Sequence, residues 1–292
     1  MATTKKKTTT KKTTSTKKQP TKNPTKTVTK KQQVKEIPKV VEQPPIKEEK
    51  TTLKRVYTII IIILSIALLI TSTIEIINIF TPSENLLPTK QQVQTPSSSE
   101  LDKINELFTE DIDFTVPRKE NNNNEIVGRL EIPGVFNLLL TQTKDNDYYV
   151  EYNIKKKRSN KGTEFIDFRN KFTDNHINIY GHNSRLYDLP FKKLEQFLKK
   201  DFFDNNEYLL FQTEEGRRIY KIVAIKEEKQ KKDYEHMILK SQDQKTHITK
   251  LLEDSIQKRE VEYDENTNII VLQTCVRQRD GNYYLLIGFE VK

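Results

Sequence analysis

Ile269-Ile270-Val271-Leu272-Gln273-Thr274-Cys275 decides the reading of this 292-residue chain. The short apolar run, rich in β-branched residues, reads as a buried strand. It ends on the sole cysteine of the sequence. A lone cysteine cannot close an intrachain disulfide, and it is one ligand where a structural zinc site needs about four. Two readings remain, a small buried hydrophobe or a nucleophile. The next stretch is polar and basic: Val276-Arg277-Gln278-Arg279-Asp280-Gly281. The thiol therefore stands where a strand meets a loop, with cations close by, a setting that can expose it and favour thiolate.

A nucleophile needs a base or acid nearby. Of the four histidines, His176, His236 and His247 lie in polar stretches and are expected to be solvated. His182 follows Asn178-Ile179-Tyr180-Gly181 and precedes Asn183. Here too a short apolar run ends in a turn, and glycine permits the sharp bend that presents the next side chain. The residue types point to a Cys–His site.

These residues carry a family resemblance. Phe165-Ile166-Asp167-Phe168-Arg169-Asn170, Ile179-Tyr180-Gly181-His182-Asn183 and Leu272-Gln273-Thr274-Cys275 resemble the sortases, cysteine transpeptidases of Gram-positive cell surfaces, and most closely class B. Ile126 to Gly134 resembles the first barrel strand of that class, and Lys144-Asp145-Asn146-Asp147-Tyr148-Tyr149 another of its segments. The resemblance covers about residues 98–292, with the motifs in family order. It implies a mainly β fold: a closed β-barrel with peripheral helices, one N-terminal and a long one before the cysteine strand.

The remainder of the chain reads independently of that resemblance. Residues 1–55 hold 17 Lys/Arg and 4 Asp/Glu, a net of +13, which against +9 for the whole chain leaves −4 for residues 56–292. This Lys/Thr-rich tail has too little apolar surface to offset chain entropy and is expected to be disordered. Without aromatic interleaving, no nucleic-acid partner is expected; attraction to an anionic membrane surface suffices. Val56 to Ile74 is uncharged over 19 residues. At 1.5 Å per residue it spans about 28 Å, the thickness of a bilayer's hydrocarbon. Residues 56–80 are therefore expected to cross a membrane. Lys54 and Arg55 on the N-terminal side place the tail in the cytoplasm and the C-terminal part outside. Residues 81–98, polar with three prolines, read as a linker, and 99–292 as the catalytic domain.

Within that domain, Leu101, Ile104, Leu107 and Phe108 show helical spacing, as do Leu189, Leu194, Phe197 and Leu198. Strands near 207–213 and 218–226 flank a hairpin turn at Glu214-Glu215-Gly216. The longest helical stretch is expected over 233–259, with Ile248, Leu251, Leu252 and Ile256 on one side.

The resemblance implies the chemistry. Cys275 attacks a threonine carbonyl in a C-terminal sorting signal of a surface protein and forms a thioester. His182 protonates the leaving amine, and an amine of a peptidoglycan precursor or a pilin resolves the acyl-enzyme. No cofactor or metal is called for. The family's arginine, usually about eight residues past the cysteine, is missing: Asn282-Tyr283-Tyr284 stands there. If Asp280-Gly281 makes a two-residue hairpin turn, Arg277 pairs with Tyr284 and Cys275 with Leu286, and alternation puts Arg277 and Arg279 on the cysteine's face. Arg277 is favoured over Arg279 for the oxyanion. Two other readings stay open, a membrane-anchored cysteine hydrolase and a non-catalytic surface protein with the same barrel.

Overall fold

The structure, a computed structural model, describes residues 48–88, 100–229, 243–276 and 281–291. Its elements are α1 (Glu48–Phe80), α2 (Glu100–Glu106), α3 (Thr115–Asn121), β1 (Ile126–Ile132), β2 (Phe136–Thr141), α4 (Tyr148–Glu151), β3 (Phe165–Ile166) and β4 (His176–Tyr180). A 3-10 helix (Pro190–Leu198), α5 (Lys200–Asn205), β5 (Tyr208–Thr213), β6 (Gly216–Lys229), α6 (Gln244–Leu252), β7 (Gln257–Lys258), β8 (Ile269–Cys275) and β9 (Asn282–Glu290) follow. The chain divides into two units, 1–60 and 61–292, each taken by itself.

Thr52–Phe80 of α1 is long and apolar enough to cross a membrane. Its side chains from Thr52 to Ile76 are exposed. The hydroxyls of Thr58, Thr71 and Thr73 bond back to carbonyls three or four residues earlier, which satisfies polar groups that hydrocarbon cannot.

Eight strands close a barrel in the order β5-β1-β2-β3-β4-β8-β9-β6, β6 pairing back to β5, while β7 adds to β6 outside the ring. β8 shows why its sequence is apolar without alternation. Ile270 and Leu272 face the barrel interior with Leu130, Ile179 and Leu286. Ile269 and Val271 face outward beneath α6, against Ile248, Leu251 and Leu252. Both faces are buried, so both need apolar side chains. The 3-10 helix plugs one end of the interior with Phe191, Leu194 and Phe197. Ile104 and Phe108 of the α2 region pack on Leu210 and Ile219, as their spacing predicts.

Three sequence expectations are corrected. The helical spacing of Leu189, Leu194, Phe197 and Leu198 belongs not to an α-helix but to the 3-10 helix, which Lys199, in extended backbone, separates from α5. The helix before the cysteine strand ends at Leu252, where Glu253 turns extended and Asp254 takes a left-handed φ of 56°. Ile256 is consequently 47 % exposed, and Gln257–Lys258 is strand; residues 233–242 of the expected helix lie outside the described residues. Finally, part of the stretch read as a linker is built into the domain. β3 has only two residues, so one edge of β2 lacks a strand partner. Residues 85–87 occupy that edge: Leu87 N–H donates to Asn137 O (2.7 Å) and Leu139 N–H to Asn85 O (2.8 Å).

Candidate active site

Parallel pairing of β4 with β8 sets the site. Tyr180 stands opposite Gln273, and His182 and Cys275 each follow two residues later. Parallel neighbours leave a sheet at the same end, so the two residues come out level, on chains about 4.8 Å apart. The ladder continues beyond β4. Gly181 N–H donates to Gln273 O (3.1 Å), and the Thr274 hydroxyl donates to Gly181 O (2.8 Å). The Asn183 amide donates to Cys275 O (2.9 Å) and to Glu195 Oε1 (2.7 Å). His182, Gln273, Cys275, Tyr180, Val150 and Tyr283 line one cleft of about 210 Å³.

The turn before the histidine requires glycine. A Cβ at Gly181 would lie 2.5 Å from the Phe191 ring and 2.8 Å from Glu164 Cγ. His182 is half-exposed, and its Nε2 stands 2.7 Å from Val150 O. A carbonyl only accepts, so Nε2 carries a hydrogen and Nδ1 is the nitrogen left to exchange a proton. Gly162 backs the ring: with φ at +59°, its Cβ would be 2.6 Å from His182 Cδ2. Val150 is presented by α4, which starts in the Asp145-Asn146-Asp147 segment. Asp145 Oδ1 accepts the N–H groups of Asp147 (3.1 Å) and Tyr148 (3.0 Å), which hold its carboxyl below the usual range. Tyr149 anchors the helix from beneath, donating to Glu125 Oε2 (2.8 Å) and accepting from Asn123 Nδ2 (2.7 Å).

Cys275 is exposed at the strand end, and burial of its surroundings pushes the thiol up from its ordinary value. Among the described residues, no Lys or Arg lines the cleft. The β8–β9 register differs from the expected one: Cys275 pairs with Tyr283 and not Leu286, Thr274 pairs with Tyr284, and Val276 N–H bonds Asn282 O (2.9 Å). Arg277 and Arg279 lie outside the described residues. Tyr283 thus shares the face and level of Cys275, whereas Tyr284 points to the other face, 8 % exposed.

The network beneath the cleft centres on Asp167. Its carboxylate accepts Tyr180 Oη (2.9 Å), Asn146 Nδ2 (3.0 Å) and two guanidinium nitrogens of Arg169 (2.8 and 2.6 Å). Burial alone would raise this carboxyl, but those bonds hold it below the usual range. Two histidines expected in solvent are not there. His176 is 6 % exposed, and half-buried His247 stands 3.2 Å from it; His236 lies outside the described residues. Sequence reading also passed over Asn183, although it adjoins His182, and the Val150 carbonyl, which no side-chain pattern announces. Among the described residues, no group of three or more His, Cys, Asp or Glu could hold a metal ion.

No family model matches the chain. It is 29 % identical over 164 residues to sortase B of Listeria monocytogenes and 26 % identical over 163 residues to sortase B of Staphylococcus aureus. Those matches cover 54 % and 53 % of this chain and 65 % of each relative, so just under two thirds of the relatives' length is spanned. The crystal structure of Clostridium perfringens sortase B superposes with a TM-score of 0.55 at 25 % identity, covering 61 % of this chain and 100 % of that one. Sequence and fold together support a class B-like protein of the sortase family.

Proposed function

We propose that the chain is a membrane-anchored cysteine transpeptidase that cleaves a C-terminal sorting signal at a threonine and passes the acyl group to an amine. The observation that carries this reading is the level placement of His182 and Cys275 on adjacent parallel strands, in one cleft. The Sγ of Cys275, as thiolate, bonds to the threonine carbonyl carbon. The carbonyl–nitrogen bond then breaks, and His182 Nδ1–H gives its proton to the departing nitrogen, leaving a thioester. An incoming amine reverses these steps: it loses a proton to His182, forms the new amide and releases the thiolate. The raised thiol means that Cys275 rests mostly as the thiol, and the reactive thiolate is a minor form.

The developing oxyanion needs a donor. Arg277 and Arg279 are the cations nearest in sequence, and Arg277 stays favoured by chain proximity alone. Tyr283, level with Cys275, is a second candidate for that contact. Lys54 and Arg55 before the apolar helix support a cytoplasmic tail and an extracellular barrel. The acceptor is an amine of the cell wall or of a pilin.

The test is a library of peptides with threonine at the scissile position, incubated with the protein with and without triglycine. Products joined to triglycine support a transpeptidase. Free acids alone, whether or not triglycine is present, indicate a hydrolase, and unchanged peptides a barrel without activity.

A further inference from the structure

Glu164 is a buried carboxyl for which acyl transfer between Cys275 and His182 has no use. It is 3 % exposed and precedes β3. Its Oε2 accepts Asn85 Nδ2 at 2.6 Å, and the backbone N–H of Phe191 also bonds the carboxylate. Its Cγ and the Phe191 ring are the two walls against Gly181, the residue that turns the chain into His182. Asn85 is itself 3 % exposed and held at both ends, its Nδ2 also donating to Leu139 O (3.2 Å) and its carbonyl accepting Leu139 N–H (2.8 Å). It lies five residues beyond Phe80, the last residue of α1. The segment that leaves the apolar helix therefore reaches the underside of the histidine turn through one side chain.

We infer that Asn85 and Glu164 are positioning residues for His182: the Asn85 amide fixes the Glu164 carboxyl, which fixes the Gly181–His182 turn from below. The segment joining the apolar helix to the barrel is then part of the catalytic machinery and not a passive tether. Burial supports the arrangement by pushing Glu164 up to about 7, so near neutrality the group is poised between a carboxylate and a neutral acid, and either form accepts from Asn85. An unpartnered carboxyl at this depth would reorient toward water and release its wall of Gly181.

This positioning role rests on the proposed function of the same site, and one experiment separates the two. Full-length protein in detergent is compared as wild type, Asn85→Ala, Glu164→Ala and Glu164→Gln. Hydrogen exchange is followed at the Gly181 amide, which bonds Gln273 O, and across Ile219–Ile225 as a control; kcat and KM are measured for peptide transfer to triglycine. Asn85→Ala and Glu164→Ala should speed exchange at Gly181 about tenfold, the population shift set by one buried hydrogen bond, with the control unchanged. The same variants should lower kcat about tenfold at constant KM, because geometry and not binding is lost. Glu164→Gln keeps the shape and an acceptor oxygen and should stay near wild type. Unchanged exchange at Gly181 in Asn85→Ala, or an equal rise in the control strand, overturns the inference. So does a normal kcat alongside faster exchange, or a Gln variant as damaged as the Ala variant. A wild type without transfer activity refutes the proposed function instead, and the exchange data still decide the positioning.

Discussion

β4 carries a histidine at its start and another just past its end, and the two are held in opposite ways. His176 is buried, its Nε2 3.1 Å from Asn178 Oδ1 and its Nδ1 3.2 Å from His247 Nε2. An amide oxygen accepts, so His176 Nε2 carries a hydrogen and Nδ1 takes the one from His247. Both nitrogens are committed, and one tautomer is fixed. His182, six positions on, has one nitrogen committed, to Val150 O, and stands half-exposed in a cleft with the cysteine. A ring with two fixed partners ties elements together, in this case β4 to α6. A ring with one fixed partner and one open nitrogen is oriented and still able to move a proton.

That contrast breaks first on acylation rates. His182→Ala should slow thioester formation by about 10² to 10⁴, the usual effect of removing a positioned proton donor. His176→Ala should leave acylation of the folded protein unchanged; equal losses in single-turnover assays would dissolve the distinction between the two rings.

The oxyanion donor comes next in size. Loss of one such contact costs about 10² to 10³ in turnover. Arg277→Ala, Arg279→Ala and Tyr283→Phe, measured singly and in pairs, should show that loss at one position, with Arg277→Lys recovering only part because lysine lacks the planar fork. Tyr284→Phe serves as control, since Tyr284 pairs with Thr274 and faces away from the thiol. If no variant loses activity, the oxyanion is held by backbone groups.

A smaller loss is expected at the bridge between the two strand ends. Asn183→Ala removes the amide on Cys275 O and should slow acylation severalfold, the scale of one hydrogen bond at an exposed strand end, with the melting temperature little changed. A normal rate there means that the strand ends stay level without the bridge.

The least conspicuous effect is one of pH and stability. Burial, and then the Lys250 charge, push His247 down from 6.5. A histidine lowered in the fold stays neutral where the unfolded chain protonates, so its contribution is present above 6.5 and lost as pH falls below it. Denaturant titrations at successive pH values should show wild type losing stability on the acid side of 6.5, and His247→Gln losing less. Parallel curves for the two proteins would remove the His176–His247 pair as the cause.

How legible this was in the sequence depended on whether a contact repeats along the chain. β8 was legible because both its faces are buried and the run is apolar throughout. The Gly181-His182-Asn183 turn was legible as a short motif, and α2 through its spacing. The level placement of His182 and Cys275 was not, because it comes from a parallel pairing between segments 93 residues apart, and pairing leaves no local mark. His176 and His247 were misread as solvated for the same reason: each lies in a polar stretch, and only the fold lays α6 over the start of β4. The β8–β9 register was misread because Asp280-Gly281 suits a tight turn, whereas Cys275 pairs with Tyr283 and Val276 N–H bonds Asn282 O. Segment 81–88 has linker composition, and its docking follows from the short β3 and not from its own sequence.

The central claim is that Cys275, level with His182, carries the acyl group. Intact-mass spectrometry of the full-length protein, quenched in acid after mixing with a threonine-containing peptide, tests it most directly. The expected result is an adduct of the peptide's N-terminal part on Cys275, released by hydroxylamine, depleted by triglycine, slow to form in His182→Ala and absent in Cys275→Ala. An adduct that persists in Cys275→Ala, or joined product formed by that variant, would contradict it.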